Sequence, residues 1–189
     1  MKMRVRLLTS LMMMITLLPI TASAESEFGR SGAYLRGGVA GAWDLTNLLG
    51  EFTDTGVGLG VAGGYRMNSW LAVEGQYHWL GNTDIGFSGN DIATVNRWDT
   101  TANVRASTSG RFQPYALVGI GYGNYEISDA ADPNNSVSAG GFIARFGGGF
   151  DIYITKHIAI YGEGAYVMAT GDIDPFDYAT LGAGAMWRF

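Results

Sequence analysis

The chain contains no cysteine, which excludes disulfide frameworks, thiolate metal sites and cysteine nucleophiles together. Charge is scarce as well. Charged residues make up 15% of the 189 positions, against about 25% in an ordinary soluble domain. Long apolar runs are missing too: after the N-terminal segment none reaches about 18 residues, so no helix is expected to span a membrane. What the chain has instead is 29 glycines and 13% aromatic residues. Glycine in a helix interior costs about 1 kcal/mol, so this composition argues against a helical bundle. The length suggests one domain. Its stability must come from packing and hydrogen bonding alone.

The N-terminus has the pattern of a secretory leader. Lys2, Arg4 and Arg6 form a cationic start, residues 7–20 are mostly apolar, and Ala22-Ser23-Ala24 supplies small residues for cleavage. Residues 1–24 are therefore read as a signal peptide and 25–189 as the mature domain. The apolar run is shorter than the roughly 20 residues of a spanning helix, which argues against a retained anchor. Mature protein recovered from cells should begin at Glu25, which intact-mass measurement would check; a retained Met1 would contradict the assignment. Residues 1–24 carry three cations and no acid, so their removal moves the formal charge from -5 to -8. Such a chain repels phosphate backbones, and nucleic acid is not an expected partner.

After residue 32 the sequence repeats with period two. In residues 70–80, Leu71, Val73, Gly75, Tyr77 and Trp79 share one face, and Ala72, Glu74, Gln76 and His78 the other. This alternation predicts a strand with one apolar and one polar face. Segments 95–106, 142–154 and 158–168 alternate in the same way. Segments 33–43, 56–66, 112–126 and 178–189 are richer in glycine, and are read as strands from their length, aromatics and flanking turns. That makes eight strands, an even number as single-chain outer-membrane barrels require.

The polar faces decide the architecture. An Arg or Lys facing lipid near the bilayer midplane would cost roughly 2–4 kcal/mol, so the charged faces must line an interior and the apolar faces must lie outside. The predicted fold is all-β: an eight-stranded antiparallel up-and-down transmembrane β-barrel. Connections 67–69, 108–111 and 155–157 are short, whereas 44–55, 81–94, 127–139 and 169–177 are longer and polar. Such barrels have short periplasmic turns and long external loops, so both termini are expected in the periplasm. Trp43, Trp79, Tyr125 and Phe176 are expected in an upper aromatic girdle. Tyr65, Trp70, Phe112, Tyr115, Trp187 and Phe189 are expected in a lower one.

The mature chain resembles the small outer-membrane barrels of the porin/opacity type and the outer membrane protein A-like and X-like barrels. The resemblance rests on the leader, on Gln113-Pro114-Tyr115 opening a glycine-rich strand, and on the ending Gly184-Ala185-Met186-Trp187-Arg188-Phe189. It implies that Gly184, Trp187 and Phe189 form a terminal signal read by the barrel-assembly machinery. Gly182 departs from the pattern, which prefers a polar residue there.

Several constellations contain residues capable of chemistry. Gly58-Leu59-Gly60-Val61-Ala62-Gly63 spells a dinucleotide fingerprint, but that motif needs a strand-to-helix junction; within a strand it reads as room for bulky neighbours. His157 falls in a short turn. His78 falls near the upper end of its strand, within reach of Ser88 or Asp84 if the chain were a lipid A-modifying enzyme; a wall or lumen histidine is the favoured reading. The interior charges, Glu74, Glu163, Arg97, Arg105, Arg145 and Asp151, joined by Arg36 and Arg66, must pair because an unpaired buried ion is very costly. Glu74 and Glu163 are expected to meet arginines from among Arg97, Arg105 and Arg145. Asp172, Asp174 and Asp177 resemble the start of a calcium loop but lack its glycine and distant glutamate.

The expected role is structural and surface-interacting, with no catalysis and no cofactor. A narrow channel is the first alternative and a lipid A-modifying enzyme the second. Membrane lipid and lipopolysaccharide are the expected surroundings of a monomer.

Overall fold

The structure, a computed structural model, describes residues 27–44, 55–87, 90–129, 136–170 and 177–189. The expected leader with Ala22, Ala24 and Glu25 lies outside these residues, as do Ser88, Asp172, Asp174 and Phe176.

Eight strands follow one another: β1 (Gly32–Asp44), β2 (Thr55–Arg66), β3 (Leu71–Phe87), β4 (Asn90–Ser107), β5 (Phe112–Asp129), β6 (Ser136–Tyr153), β7 (Ile158–Ala169) and β8 (Tyr178–Arg188). Each pairs antiparallel with the next, and β8 returns to β1 along a register from Tyr34↔Arg188 to Asp44↔Tyr178. The sheet is a closed barrel, so no edge strand is left to template aggregation.

The period-two pattern explains both surfaces. Val57, Ile120 and Phe142 are 66–75% exposed on the outer wall, where an apolar band of this extent is stable only against lipid. Residues of the opposite parity, among them Gln113, Arg145 and Asp151, are fully buried in the lumen. The short connections take up residues 67–70, 108–111 and 154–157, all at one end. In the β4–β5 turn, Gly110 has φ +133°, a conformation that only glycine adopts without strain.

Two of the expected long loops are partly strand. β3 continues to Phe87 and β4 starts at Asn90, with register shifts at Leu80/Thr83 and Ile85/Gly86. β5 reaches Asp129 and β6 begins at Ser136. Backbone pairing continues through these segments although the clean alternation of apolar and polar residues fades in them. Hairpin length, more than loop length, distinguishes the two ends.

Tyr115 and Tyr125 do not belong to the girdles. Both share the parity of Gln113 in β5 and are buried in the lumen, at 4% and 3% exposure. The outer aromatics of the upper half form a continuous row across four strands: Tyr77, Trp98, Tyr122 and Phe142, with successive centroids 6.4, 6.2 and 6.1 Å apart. Tyr65, Trp70, Phe112, Trp187 and Phe189 face outward toward the short-turn end.

Candidate functional site in the barrel lumen

The lumen of an eight-stranded barrel is just wide enough for side chains to fill it, and here its middle is filled by charge. Arg36 of β1 is the hub. Its Nη1 donates to Glu74 Oε2 at 3.3 Å and to Glu163 Oε2 at 3.0 Å, and its Nη2 donates to Glu163 Oε2 and to the Tyr115 hydroxyl, both at 3.0 Å. The guanidinium lies 3.9 Å from the Tyr161 ring centroid, a cation–π contact that adds attraction where water is excluded.

The remaining charges extend from this hub. Glu163 Oε1 accepts from Arg145 Nη2 at 2.9 Å and from Gln76 Nε2 at 3.3 Å, and its Oε2 also accepts the Tyr115 hydroxyl at 2.7 Å. Glu74 accepts from Tyr34 at 2.9 Å and from Arg105 Nη1 at 3.3 Å, while Arg105 Nη2 reaches Asp151 Oδ2 at 2.8 Å. Arg36, Arg105 and Arg145 thus face Glu74, Glu163 and Asp151, three cations against three anions. Local neutrality is what a low-dielectric interior demands.

Among the arginines expected to meet the glutamates, Arg105 and Arg145 do so. Arg97 sits nearer the long-hairpin end, its Cζ 4.3 Å from the Tyr125 ring centroid and 4.6 Å from that of Tyr178. Arg36 takes the central place instead. Its inward face is expected from the sequence, but not its pairing with both glutamates. Tyr34 and Tyr115 were missed as network members for lack of a charge to mark them.

His78 faces the lumen at 3% exposure. Its Nδ1 lies 3.0 Å from Asp99 Oδ1, and Gln76 Nε2 lies 3.0 Å from its Nε2. The Gln76 amide also donates to Glu163, and its oxygen accepts from Asn103 at 3.1 Å. The roles agree if Nδ1–H donates to Asp99 and Nε2 accepts from Gln76. Arg145 Nη1, 3.2 Å from the same Nδ1, is then in close contact without a hydrogen bond there. Asp99 Oδ2 accepts the Tyr178 hydroxyl at 2.7 Å. His78 is therefore turned away from the lipid-facing wall. Gly60 makes room for it: a Cβ there would lie 2.8 Å from His78 Cδ2. This accounts for part of the glycine spacing in β2.

Apolar side chains close the charged layer at both ends. Toward the long hairpins, Ala42, Leu80, Tyr125, Ile143, Val167 and Tyr178 form a buried cluster. Toward the short turns, Tyr34, Ala72, Tyr153, Ala159 and Met186 form another, with Phe28 packed against it. These inward apolar residues escape a search for charged lumen faces, although Leu80 shares the parity of Glu74, Gln76 and His78.

The other singled-out residues lie apart. His157 donates from Nδ1 to the Arg188 carbonyl at 2.9 Å and stacks on Trp187. Asp177 accepts from the Tyr166 hydroxyl at 2.6 Å and from the Ala169 amide at 2.9 Å, bracing the end of β7. Trp187 and Phe189 point outward, and a Cβ on Gly184 would lie 2.2 Å from the Gly37 carbonyl across the closing seam.

A family model described as an outer membrane protein beta-barrel domain matches residues 10–189. The chain belongs to this family. It is an outer-membrane protein of the Gram-negative envelope, crossing the bilayer with eight strands. Solved members of the same architecture resemble this outer-membrane barrel over nearly their whole length. Neisserial surface protein A (NspA) is 16% identical, with 84% of this chain and 98% of that one covered and a TM-score of 0.68. Ail, the attachment invasion locus protein of Yersinia pestis, solved with the heparin analogue sucrose octasulfate, is 18% identical with coverages of 85% and 99% and a TM-score of 0.61. OprG from Pseudomonas aeruginosa is 16% identical, with coverages of 86% and 98% and a TM-score of 0.54. At these identities the likeness is one of fold. No curated protein matches the chain by sequence.

Proposed function

We propose that this outer-membrane barrel is a closed structural and surface-interacting protein whose lumen is a side-chain plug. The observation that carries the reading is the neutral six-residue ion network held between two apolar clusters. Buried ions paired in this way resist hydration, because separating them in a confined space is costly. Both termini lie on the periplasmic side in this reading, and the long hairpins point out of the cell. Lipid and lipopolysaccharide cover the apolar wall of a monomer, and the barrel-assembly machinery inserts it.

The outer hairpins support a particular choice of partner. Residues 44–55, 81–94, 127–139 and 169–177 contain acids such as Asp44, Glu51, Asp132 and Asp172 and no Lys or Arg. Ail was solved with a heparin analogue, but a surface of this sign repels such polyanions. A cationic or neutral partner fits it better.

Purified protein in planar bilayers should show no steady single-channel conductance. Sustained unitary steps would replace the plug with the narrow-channel reading.

A further inference from the structure

Residues 27–30 precede β1 and fold back across the short-turn mouth of the lumen. The Phe28 ring packs on Tyr153, with centroids 5.4 Å apart, and Gly29 is buried. The Phe28 carbonyl accepts from Arg188 Nη1 and, at 3.0 Å, from Gln113 Nε2; the Glu27 carbonyl accepts from Arg188 Nη2 at 3.0 Å. Gln113 in turn accepts from Arg66 Nη2 at 2.6 Å, and Arg66 Nη1 donates to the Ser69 carbonyl at 3.2 Å. Arg66 and Arg188 therefore converge on one relay of amide and carbonyl groups.

The chemistry of this relay differs from that of the mid-lumen. Arg66 and Arg188 are 4% and 1% exposed, yet among the described residues neither has a carboxylate at ion-pair distance. Their donors are met by neutral oxygens: the carbonyls of Glu27, Phe28 and Ser69, the Gln113 amide and the Tyr153 hydroxyl. An anion would serve two buried guanidinium groups better, because it offsets their charge as well as accepting their hydrogen bonds, and a guanidinium presents a planar fork to an oxoanion. Most of the oxygens now facing Arg188 belong to a four-residue segment with a single apolar anchor. Segments with so few buried contacts open at low free-energy cost.

We propose that residues 27–30 form a strap occupying a small-oxoanion site, and that displacement of the strap lets Arg188 and Arg66 bind a phosphate-class anion at this mouth. The strap carbonyls stand in for the anion's oxygens when the mouth is closed. Gln113, which also donates to the Gly110 carbonyl at 2.8 Å, holds Arg66 in place in both states. The site is separate from the mid-lumen network, whose cations already have anionic partners.

The test uses the whole mature chain in detergent micelles, with inorganic phosphate as the probe. Phe28→Gly removes the anchor and leaves every donor in place. Titration calorimetry should show phosphate binding at least tenfold tighter in Phe28→Gly than in wild type, and adding Arg66→Gln should abolish the gain. A second readout follows strap position directly. Ser107 faces the lumen near this end and the chain has no cysteine, so Ser107→Cys provides a unique thiol. Its labelling should accelerate severalfold with Phe28→Gly. Equal phosphate affinity with and without the anchor would overturn the proposal. So would binding indifferent to Arg66→Gln, which places the ion elsewhere, or labelling unmoved by Phe28→Gly, which shows that the strap does not cover the mouth.

Discussion

Glu163→Gln is expected to lower the unfolding free energy of the barrel by about 3–5 kcal/mol, the usual loss when one member of a buried ion pair is removed. Glu163 receives Arg36 and Tyr115 on one oxygen and Arg145 and Gln76 on the other. A glutamine of the same shape keeps one acceptor and turns an NH2 group toward donors that need an acceptor. Two guanidinium groups also lose their shared anion, and only Glu74 then offsets Arg36. The natural control is Lys156→Ala. Lys156 pairs with Glu27 in the open, with side chains 57% and 50% exposed, and exposed pairs contribute little. The measurement is the urea midpoint of protein refolded into detergent or vesicles. A wet lumen would screen the pair and shrink the loss to about 1 kcal/mol or less. If Glu163→Gln unfolds at the same urea concentration as Lys156→Ala, the mid-lumen is hydrated and the plug reading fails. This experiment also separates plug from pore independently of conductance.

Deleting Phe189 is expected to reduce the folded barrel in cells severalfold while leaving the purified chain able to refold. Trp187 and Phe189 are 50% and 65% exposed on the outer wall, flanking the inward Arg188. In the folded state Phe189 adds one rung, its amide donating to the Ala33 carbonyl at 3.0 Å, together with a side chain toward lipid. Losing these weakens one end of a seam that runs from Tyr34↔Arg188 to Asp44↔Tyr178. Most of the seam stays intact, so refolding into detergent should survive. The resemblance to small outer-membrane barrels implies that the same residues are read during insertion. If they are read so, losing the signal would slow assembly and leave the unfolded chain to degradation. Heat-modifiable mobility on gels, which distinguishes folded from unfolded barrel, reads the yield in both settings. Equal yields in cells for the full chain and the deletion would remove Phe189 from any assembly signal.

Both expectations draw on sequence and structure in different proportions. The faces of residues 71–80 and 95–106 were legible because each alternate residue meets one environment, lipid or lumen, and the period carries through the strand. Nearness to strand ends misplaces Tyr115 and Tyr125 in the girdles, whereas their parity with Gln113 assigns them to the lumen. The outer ends of β3, β4, β5 and β6 are read as loops because the clean alternation that reveals a strand fades there.

Strand number, antiparallel order and the outward apolar wall were determined by the sequence alone, since each follows from local alternation and connection length. Which charge meets which was decided only by the tertiary structure. Arg36 and Glu163 are 127 residues apart, and Arg188 and Phe28 are separated by 160. Period two states that a side chain points inward but carries no information about height or the strand opposite. Height is set by strand stagger and by closure of the seam between β1 and β8. Once closure fixes it, confinement pairs Arg36 with both glutamates, leaves Arg97 over two aromatic rings, and brings the N-terminal strap onto Arg188.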